Sequence, residues 1–425
     1  MSEGKGRGKW VVATLALFFM FIHVAGLTWG SERERSSRLA RPSHFHVPGR
    51  SRSLAKETVD AYDAQDLDTE SDLDSYIQQR LDKVNIPGLS ALIVKDGKIA
   101  WSGAYGWARI GRQPVTTDTV FQLASVSKTI VAVAVMKAWE EGRFDLDEDI
   151  NRYLPFSVRN PRAPVKPITT RMLLTHTSSI RDRANVMDSA YVWNRDSPVS
   201  LGQFLEDYFT SGRWGFGSRR SFYSEDPGTA FHYSNIGAAL AAYLVEATSG
   251  VPFDTYCNLK IFQPLGMEET SWRLSDLDDS HLAMPYGYDS QRRRYTAYGF
   301  YGYPDYPDGL LRSSAPQLAR FLNMFIQYGE LDGVRILKKE TVEEMRRVQN
   351  PSIDPQGGLI WYYKELSGWR LLGHNGGDMG ITTEMFFRPD DGAGIILLMN
   401  GDCTPSVDRF IKDIQTRLFK EAEYK

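Results

Sequence analysis

At 425 residues the chain is long enough for two domains or for one large domain in two lobes. A hydrophobic fraction of 42% and a charged fraction of 24% exclude a disordered or collagen-like chain. Fifty Lys and Arg against 53 Asp and Glu leave a net charge of −3, which gives no reason to expect nucleic acid as a partner.

The N-terminus reads as an address. Lys5, Arg7 and Lys9 precede an apolar run from Trp10 to about Trp29, and small residues (Val24, Ala25, Gly26) lie near its end. Basic residues, an apolar stretch and small residues fit a secretory signal. The run is nearly long enough to cross a bilayer as a helix. Residues 1–30 are therefore a cleaved signal or an uncleaved anchor with its basic end in the cytoplasm, the anchor being preferred. Either way the main body is extracytoplasmic, membrane-anchored or secreted. Residues 31–71 read as a tether, rich in Arg, Ser and Pro and then acidic. His44 and His46 fall within it and have no Cys or acidic neighbours to complete a metal site.

Folded structure begins with a helix near 72–84, where Leu73, Ile77 and Leu81 recur on one face. Two apolar runs, 89–94 and 99–105, flank Lys95-Asp-Gly-Lys98, a strong hairpin signal because the tight turn needs positive φ. Residues 118–123 lead into a long apolar helix over about 125–141, stopped at Gly142. Between 143 and 365 the pattern is helical and loop-rich, with helices expected near 169–175, 200–210, 235–249, 253–261, 316–328 and 339–348. Pro316 is placed at the first helical position. Strands return at 369–374, 382–388 and 394–400. A closing helix follows, capped by Thr404, opened by Pro405 and striped by Val407, Phe410, Ile411, Ile414 and Leu418. Strands at both ends with helices between predict an α+β body. An antiparallel sheet from both chain ends is flanked by helices and holds a mostly helical inserted lobe. The sheet lobe is 72–124 and 366–425, and the helical lobe 125–365. Cys257 and Cys403 are read as separate packed thiols.

Three short patterns carry chemistry. In Ser125-Val-Ser-Lys128 the hydroxyl and the amine project from one face of a helix start. Ser-x-x-Lys is common, and Ser2…Lys5 and Ser53…Lys56 match it too. Context separates Ser125, because an apolar strand-like segment feeds it into an apolar helix. A serine there meets unpaired N–H groups and the positive end of the dipole, and a lysine in a dry site can give up its proton and take one from the hydroxyl. The ordinary reading is a capping serine and a solvated lysine. Tyr233-Ser-Asn235 follows Pro227-Gly-Thr at the mouth of a helix, whereas its decoy Tyr256-Cys-Asn258 sits inside a helical pattern. Tyr233 is placed to relay protons and Asn235 to bind a substrate amide, against the ordinary reading of a capping Asn beside a half-buried Tyr. His374-Asn-Gly376-Gly377 ends a strand, with glycines that permit close backbone approach. No Gly-x-Ser-x-Gly elbow, phosphate loop or His-Glu-x-x-His is present. His176, in Leu-Thr-His-Thr-Ser, is read as structural.

These motifs, with Met172-Leu-Leu-Thr-His-Thr-Ser178, Ile261-Phe-Gln-Pro-Leu-Gly-Met267 and Gly309-Leu-Leu-Arg-Ser-Ser314, resemble the serine β-lactamase and penicillin-binding protein superfamily, in its class C-like branch. The resemblance runs from about residue 72 to the C-terminus. It implies that Ser125 is acylated, that Lys128 and Tyr233 share acid/base work, and that Asn235 binds the substrate amide. It also implies an oxyanion hole of the Ser125 and Gly377 backbone N–H groups. His374, Asn375 and Gly376 would complete the site, with His374 among the catalytic groups and Asn375 and Gly376 binding substrate. No cofactor and no metal are implied. The partner is a small-molecule or peptide substrate. One departure stands out: the third motif begins with His374 where β-lactamases carry Lys. A histidine is largely neutral near pH 7, which favours an esterase or peptidase over a dedicated β-lactamase. The alternatives are a D-Ala-D-Ala carboxypeptidase or β-lactamase, and, from another class, a non-catalytic membrane-tethered binding module.

Overall fold

The computed structural model describes residues 72–210 and 218–425. The leader, the tether and His44-x-His46 lie outside the described residues. Among the described residues no single helix is long and apolar enough to cross a membrane.

The fold is α+β and is organised by one seven-stranded antiparallel sheet. Its strands are β1 (Gly88–Lys95), β2 (Lys98–Arg109), β3 (Gln113–Pro114), β4 (Tyr362–Leu366), β5 (Trp369–Asp378), β6 (Ile381–Phe387) and β7 (Gly394–Met399). They are ordered β4-β5-β6-β7-β1-β2-β3, so the two ends of the chain meet where β7 pairs with β1, from Leu89 opposite Met399 to Val94 opposite Gly394. The β1–β2 turn follows its sequence: Asp96 and Gly97 have φ of 51° and 73°, as a type I′ turn requires.

Alternation along the strands divides the core. Leu89, Ala91 and Ile93 join Ile395, Leu397, Met399 and Phe386 on one face. That face is covered by α1 (Leu73–Leu81) and by the closing helix, in which Val407, Phe410, Ile411, Ile414 and Leu418 are all buried. Leu92, Val94, Ile396, Leu398, Met385 and Phe387 point the other way, into the helical layer. There α2 (Ser127–Glu140) is buried almost all round from Ser127 to Met136, as a helix at the centre of a large body must be. The helices that follow it are α3 (Thr170–Leu174), α4 (Ala184–Ala190), α5 (Leu201–Phe209), α6 (Asn235–Ser249), α7 (Phe253–Cys257), α8 (Ala315–Ile326), α9 (Lys339–Arg346) and α10 (Pro405–Glu421).

Several expectations need correction. The helix expected from 125 begins at Ser127, and Ser125 sits on a 3-10 turn, Ala124–Val126. The strand expected to stop at His374 continues to Asp378, because its pairing with β6 runs on to Asp378 opposite Ile381. The helix expected over 253–261 is α7 followed by a π turn, Asn258–Phe262. Pro316 is the second residue of α8. α4 and β4 were not anticipated, nor was the hairpin of Tyr286–Asp289 with Arg294–Ala297. Cys257 is buried, Cys403 is exposed, and neither is bridged.

Candidate active site

Ser125 is carried on a strained turn. The short strand Phe121–Gln122 pairs with Arg312–Ser313, and the Leu123 N–H donates to the Leu311 carbonyl. Ala124 then takes φ of +46°, a region that costs a non-glycine residue on the order of 1 kcal/mol and persists only when the surroundings enforce it. The enforcing contacts come from β5 and β6. The buried Thr383 hydroxyl donates to the Leu123 carbonyl at 2.7 Å. A Cβ on Gly376 would lie 2.6 Å from the Leu123 oxygen and 2.9 Å from the Ser125 nitrogen. Only a glycine lets β5 press so closely on the turn. Gly376 was expected to admit a substrate backbone; the close approach it permits is to the chain's own turn. Beside it, a Cβ on Gly377 would meet nothing within 4 Å, so that residue faces open space.

One turn onward the Lys128 amine, fully buried, donates to Ser125 Oγ at 3.1 Å and to the Asp308 carbonyl at 2.6 Å. The capping-serine reading of this motif fails on that geometry, since no solvated lysine has its side chain entirely out of water. Tyr233 arrives from the loop before α6. Lys128 Nζ stands 5.2 Å from the centre of its ring, and the buried Tyr233 hydroxyl interacts with that amine. Burial opposes the charge on Lys128, but Tyr233, Asp308 and Asp182 outweigh it and hold the amine above its ordinary value. Burial thus pulls the amine towards its neutral form, as a dry site should, while these three neighbours pull it back towards the charged one. Asp308 answers in kind. Burial pushes its carboxyl up, to about 7, against the downward pull of the Lys128 charge.

The third motif divides by face. His374 and Gly376 lie on the side of β5 that meets the Ser125 turn. His374 is buried, its Nδ1 donating to the Asn375 carbonyl at 2.5 Å and its ring centred 6.3 Å from that of Tyr233. Asn375 points away. It stands opposite Glu384, which accepts from Gln415 on α10, and its own Oδ1 accepts from the Tyr362 hydroxyl at 2.8 Å. Strand alternation thus removes the Asn375 side chain from the substrate-binding group.

Asn235 is the first residue of α6, but the cap is Ser234, whose hydroxyl accepts from the Gly237 N–H at 2.9 Å. That leaves the half-buried Asn235 side chain uncommitted to capping. Two residues support this loop: reasoning from sequence read His176 as structural, which it is, and missed Asp182. Asp182 accepts from the Ser234 hydroxyl and from the Asn235 and Ile236 N–H groups, and His176 Nδ1 accepts from the Ser234 N–H at 3.2 Å. Nothing local in Ser-Ile-Arg-Asp182 signals such a role. It also missed Asp308, whose carbonyl meets Lys128 from 180 residues away.

A serine on a strained turn at the mouth of a buried helix, a buried lysine on its hydroxyl and a phenol beside both define a serine hydrolase. Residues 73–415 match the family model Beta-lactamase, and the chain belongs to that family. Penicillin-binding protein 4* of Bacillus subtilis is 28% identical over 330 residues, covering 73% of this chain and 67% of its own. Among solved structures, the octameric penicillin-binding protein homologue from Pyrococcus abyssi is 28% identical at a TM-score of 0.65, covering 77% of this chain and 72% of that one. The D-amino acid amidase from Ochrobactrum anthropi, 23% identical with a TM-score of 0.66 over 84% of this chain and 100% of its own, shares the fold.

Proposed function

We propose that the protein hydrolyses ester or amide bonds in small or peptide-like substrates through an acyl-enzyme on Ser125. The observation that carries this reading is the 3.1 Å contact between Ser125 Oγ and a lysine amine wholly out of water. A charged amine is a donor, so it orients the hydroxyl and stabilises negative charge on oxygen. The Ser125 proton passes to Tyr233 as the phenol hands its own proton on to the leaving group, so the relay ends with the phenol neutral as it began. The Ser125 and Gly377 N–H groups receive the carbonyl oxygen, supported by the close approach of the neighbouring Gly376 to the Ser125 nitrogen. Asn235 holds the substrate amide. Once the acyl group is attached, water reverses the sequence and frees Ser125. His374 supplies no permanent cation for a substrate carboxylate, which supports esters and peptides over β-lactams.

The relatives' names favour one second reading, a D-Ala-D-Ala carboxypeptidase or β-lactamase, to which labelling by a fluorescent penicillin would point. The apolar run from Trp10 to Trp29 supports delivery of the hydrolase across a membrane, by anchor or by cleaved signal.

Intact mass after incubation with a nitrophenyl acetate, D-peptides and β-lactams tests the reading. Wild type gains one acyl or inhibitor adduct, and Ser125→Ala gains none and loses turnover while remaining folded. Undiminished turnover by folded Ser125→Ala would refute it.

A further inference from the structure

We propose that Asp182 is a positioning residue of the acyl-transfer site, fixing the Tyr233-Ser-Asn235 segment. The inference rests on the hydrolase reading above. Three consecutive amides of that segment are taken in turn: Ser234 N–H by His176 Nδ1 at 3.2 Å, Asn235 N–H by Asp182 Oδ2 at 2.7 Å, and Ile236 N–H by Asp182 Oδ1 at 3.1 Å. Asp182 Oδ1 also accepts from the Ser234 hydroxyl at 2.7 Å. The His176 ring lies 4.4 Å from the ring of Tyr233, so the residue that accepts the first amide also backs the phenol. Backbone donors bound to a rigid acceptor fix φ and ψ on both sides of each peptide, and therefore where Tyr233 and Asn235 project.

An anion at a helix start stabilises any helix, so the hydrogen bonds alone describe an ordinary structural carboxylate. Three further observations set Asp182 apart. Ser234 already caps α6 through the Gly237 N–H, so Asp182 is not needed as the cap. It comes from the loop after α3, 52 residues before Ser234, and so ties two separate pieces of the helical layer together at the site. Among the described residues no ion pair holds it, and it lies close enough to the buried Lys128 to help raise that amine. Other groups that feel the Asp182 charge include Tyr208, Tyr223, Asp305 and Asp308, and Arg181 and Arg183 flank it in the chain. Burial lifts the Asp182 carboxyl, while the bonds from Asn235, Ser234 and Ile236 favour its charged form. Its charge is thus held by neutral donors, the Ser234 hydroxyl and the Asn235 and Ile236 N–H groups.

The test compares Asp182→Asn and Asp182→Glu with wild type, full chain, on nitrophenyl acetate across pH. Asparagine turns one acceptor into a donor against an N–H and removes the charge. The expected result is a kcat lowered about 10- to 100-fold by displacement of Tyr233, with KM within about twofold. The alkaline limb also moves to lower pH, because removing an anion lets the Lys128 amine lose its proton sooner. Asp182→Glu, which keeps the charge, leaves the limb at its wild-type position even where kcat falls. Selective 13C-lysine NMR reads the same Lys128 titration without turnover, and its midpoint falls in Asp182→Asn only. Wild-type kcat in folded Asp182→Asn, or a KM raised as far as kcat falls, overturns the proposal. If Asp182→Asn does not fold, Ser234→Ala removes one bond and keeps the charge. It should lower kcat about three- to tenfold with the limb in place, and unchanged kcat overturns the proposal. Fluorophosphonate labelling of wild-type Ser125 reports separately on the hydrolase reading, so loss of that reading is not confused with loss of this one.

Discussion

Adding one methyl group at Gly376 tests how tightly the sheet holds the nucleophile. In Gly376→Ala the new Cβ would lie 2.4 Å from Thr383 Oγ1, 2.6 Å from the Leu123 carbonyl oxygen and 2.9 Å from the Ser125 nitrogen. A carbon beside a carbonyl oxygen rests at about 3.3–3.6 Å, so the turn must retreat by roughly 0.7–1.0 Å. Two of the three obstacles are backbone atoms, which cannot swing aside as the end of a side chain can. The third is the hydroxyl that pins Leu123, so relief there breaks the 2.7 Å bond holding the turn. Overpacking of this kind costs ~1–3 kcal/mol, a shift of a few degrees in melting temperature for a body this large. The effect on turnover should be larger. A displacement near 1 Å at a reacting group costs about a hundredfold, and here it falls on Ser125 itself. The assay pairs initial rates on nitrophenyl acetate with thermal unfolding followed by circular dichroism. Gly377→Ala serves as the stability control, since its Cβ would enter open space and leave the melting temperature unchanged. Wild-type turnover and melting in Gly376→Ala would refute the claim that this contact positions the nucleophile.

Two further outcomes follow from the buried titratable groups. The Asp308 carboxyl is raised by burial from 3.8 to about 7, so its folded value exceeds its unfolded one. A group of that sign favours the folded state below pH ~4 and loses this contribution as pH rises through about 7. Asp308→Asn should therefore flatten the decline in urea midpoint between about pH 4 and 7.5, and an unaltered slope would count against the burial of that charge. Of the two thiols, Cys403 is exposed and Cys257 is enclosed. Mass spectrometry after iodoacetamide at pH 8 should show modification at Cys403 alone, and a second adduct only on unfolding.

The periodic elements were legible because their burial repeats along the chain. The stripe on α10, the Asp-Gly hairpin and the apolar run of α2 each announce themselves within a dozen residues. Ser125 and Lys128 were legible for the same reason, being one turn apart. What escaped was set by contacts between distant segments. β4 has the exposed, mixed character of an edge strand, so its half-buried side chains show no alternation. β5 outran its apolar stretch because pairing with β6 carries Asn375, Gly376 and Gly377 along. The helix over 125–141 lost its first two residues to the 3-10 turn, which the sheet imposes through Thr383 and Gly376. The electrostatics at Lys128 were only half legible, because desolvation can be anticipated from an apolar neighbourhood, whereas Asp182 and Asp308 come from 54 and 180 residues away. Asn375 was assigned to the site from its motif, and only the strand's alternation shows it facing α10.

The pairing of β1 with β7 bears on how the protein is born. Roughly 300 residues separate these neighbours, so a ribosome adding about 5–20 residues per second needs some 15–60 s between releasing one and releasing the other. Throughout that interval the early hairpin has an unmatched edge, and the serine-bearing turn lacks the late strands that wedge it into shape. An unfinished chain carries its nucleophile but not the brace that makes it reactive, so hydrolytic competence arrives only with the last hundred residues.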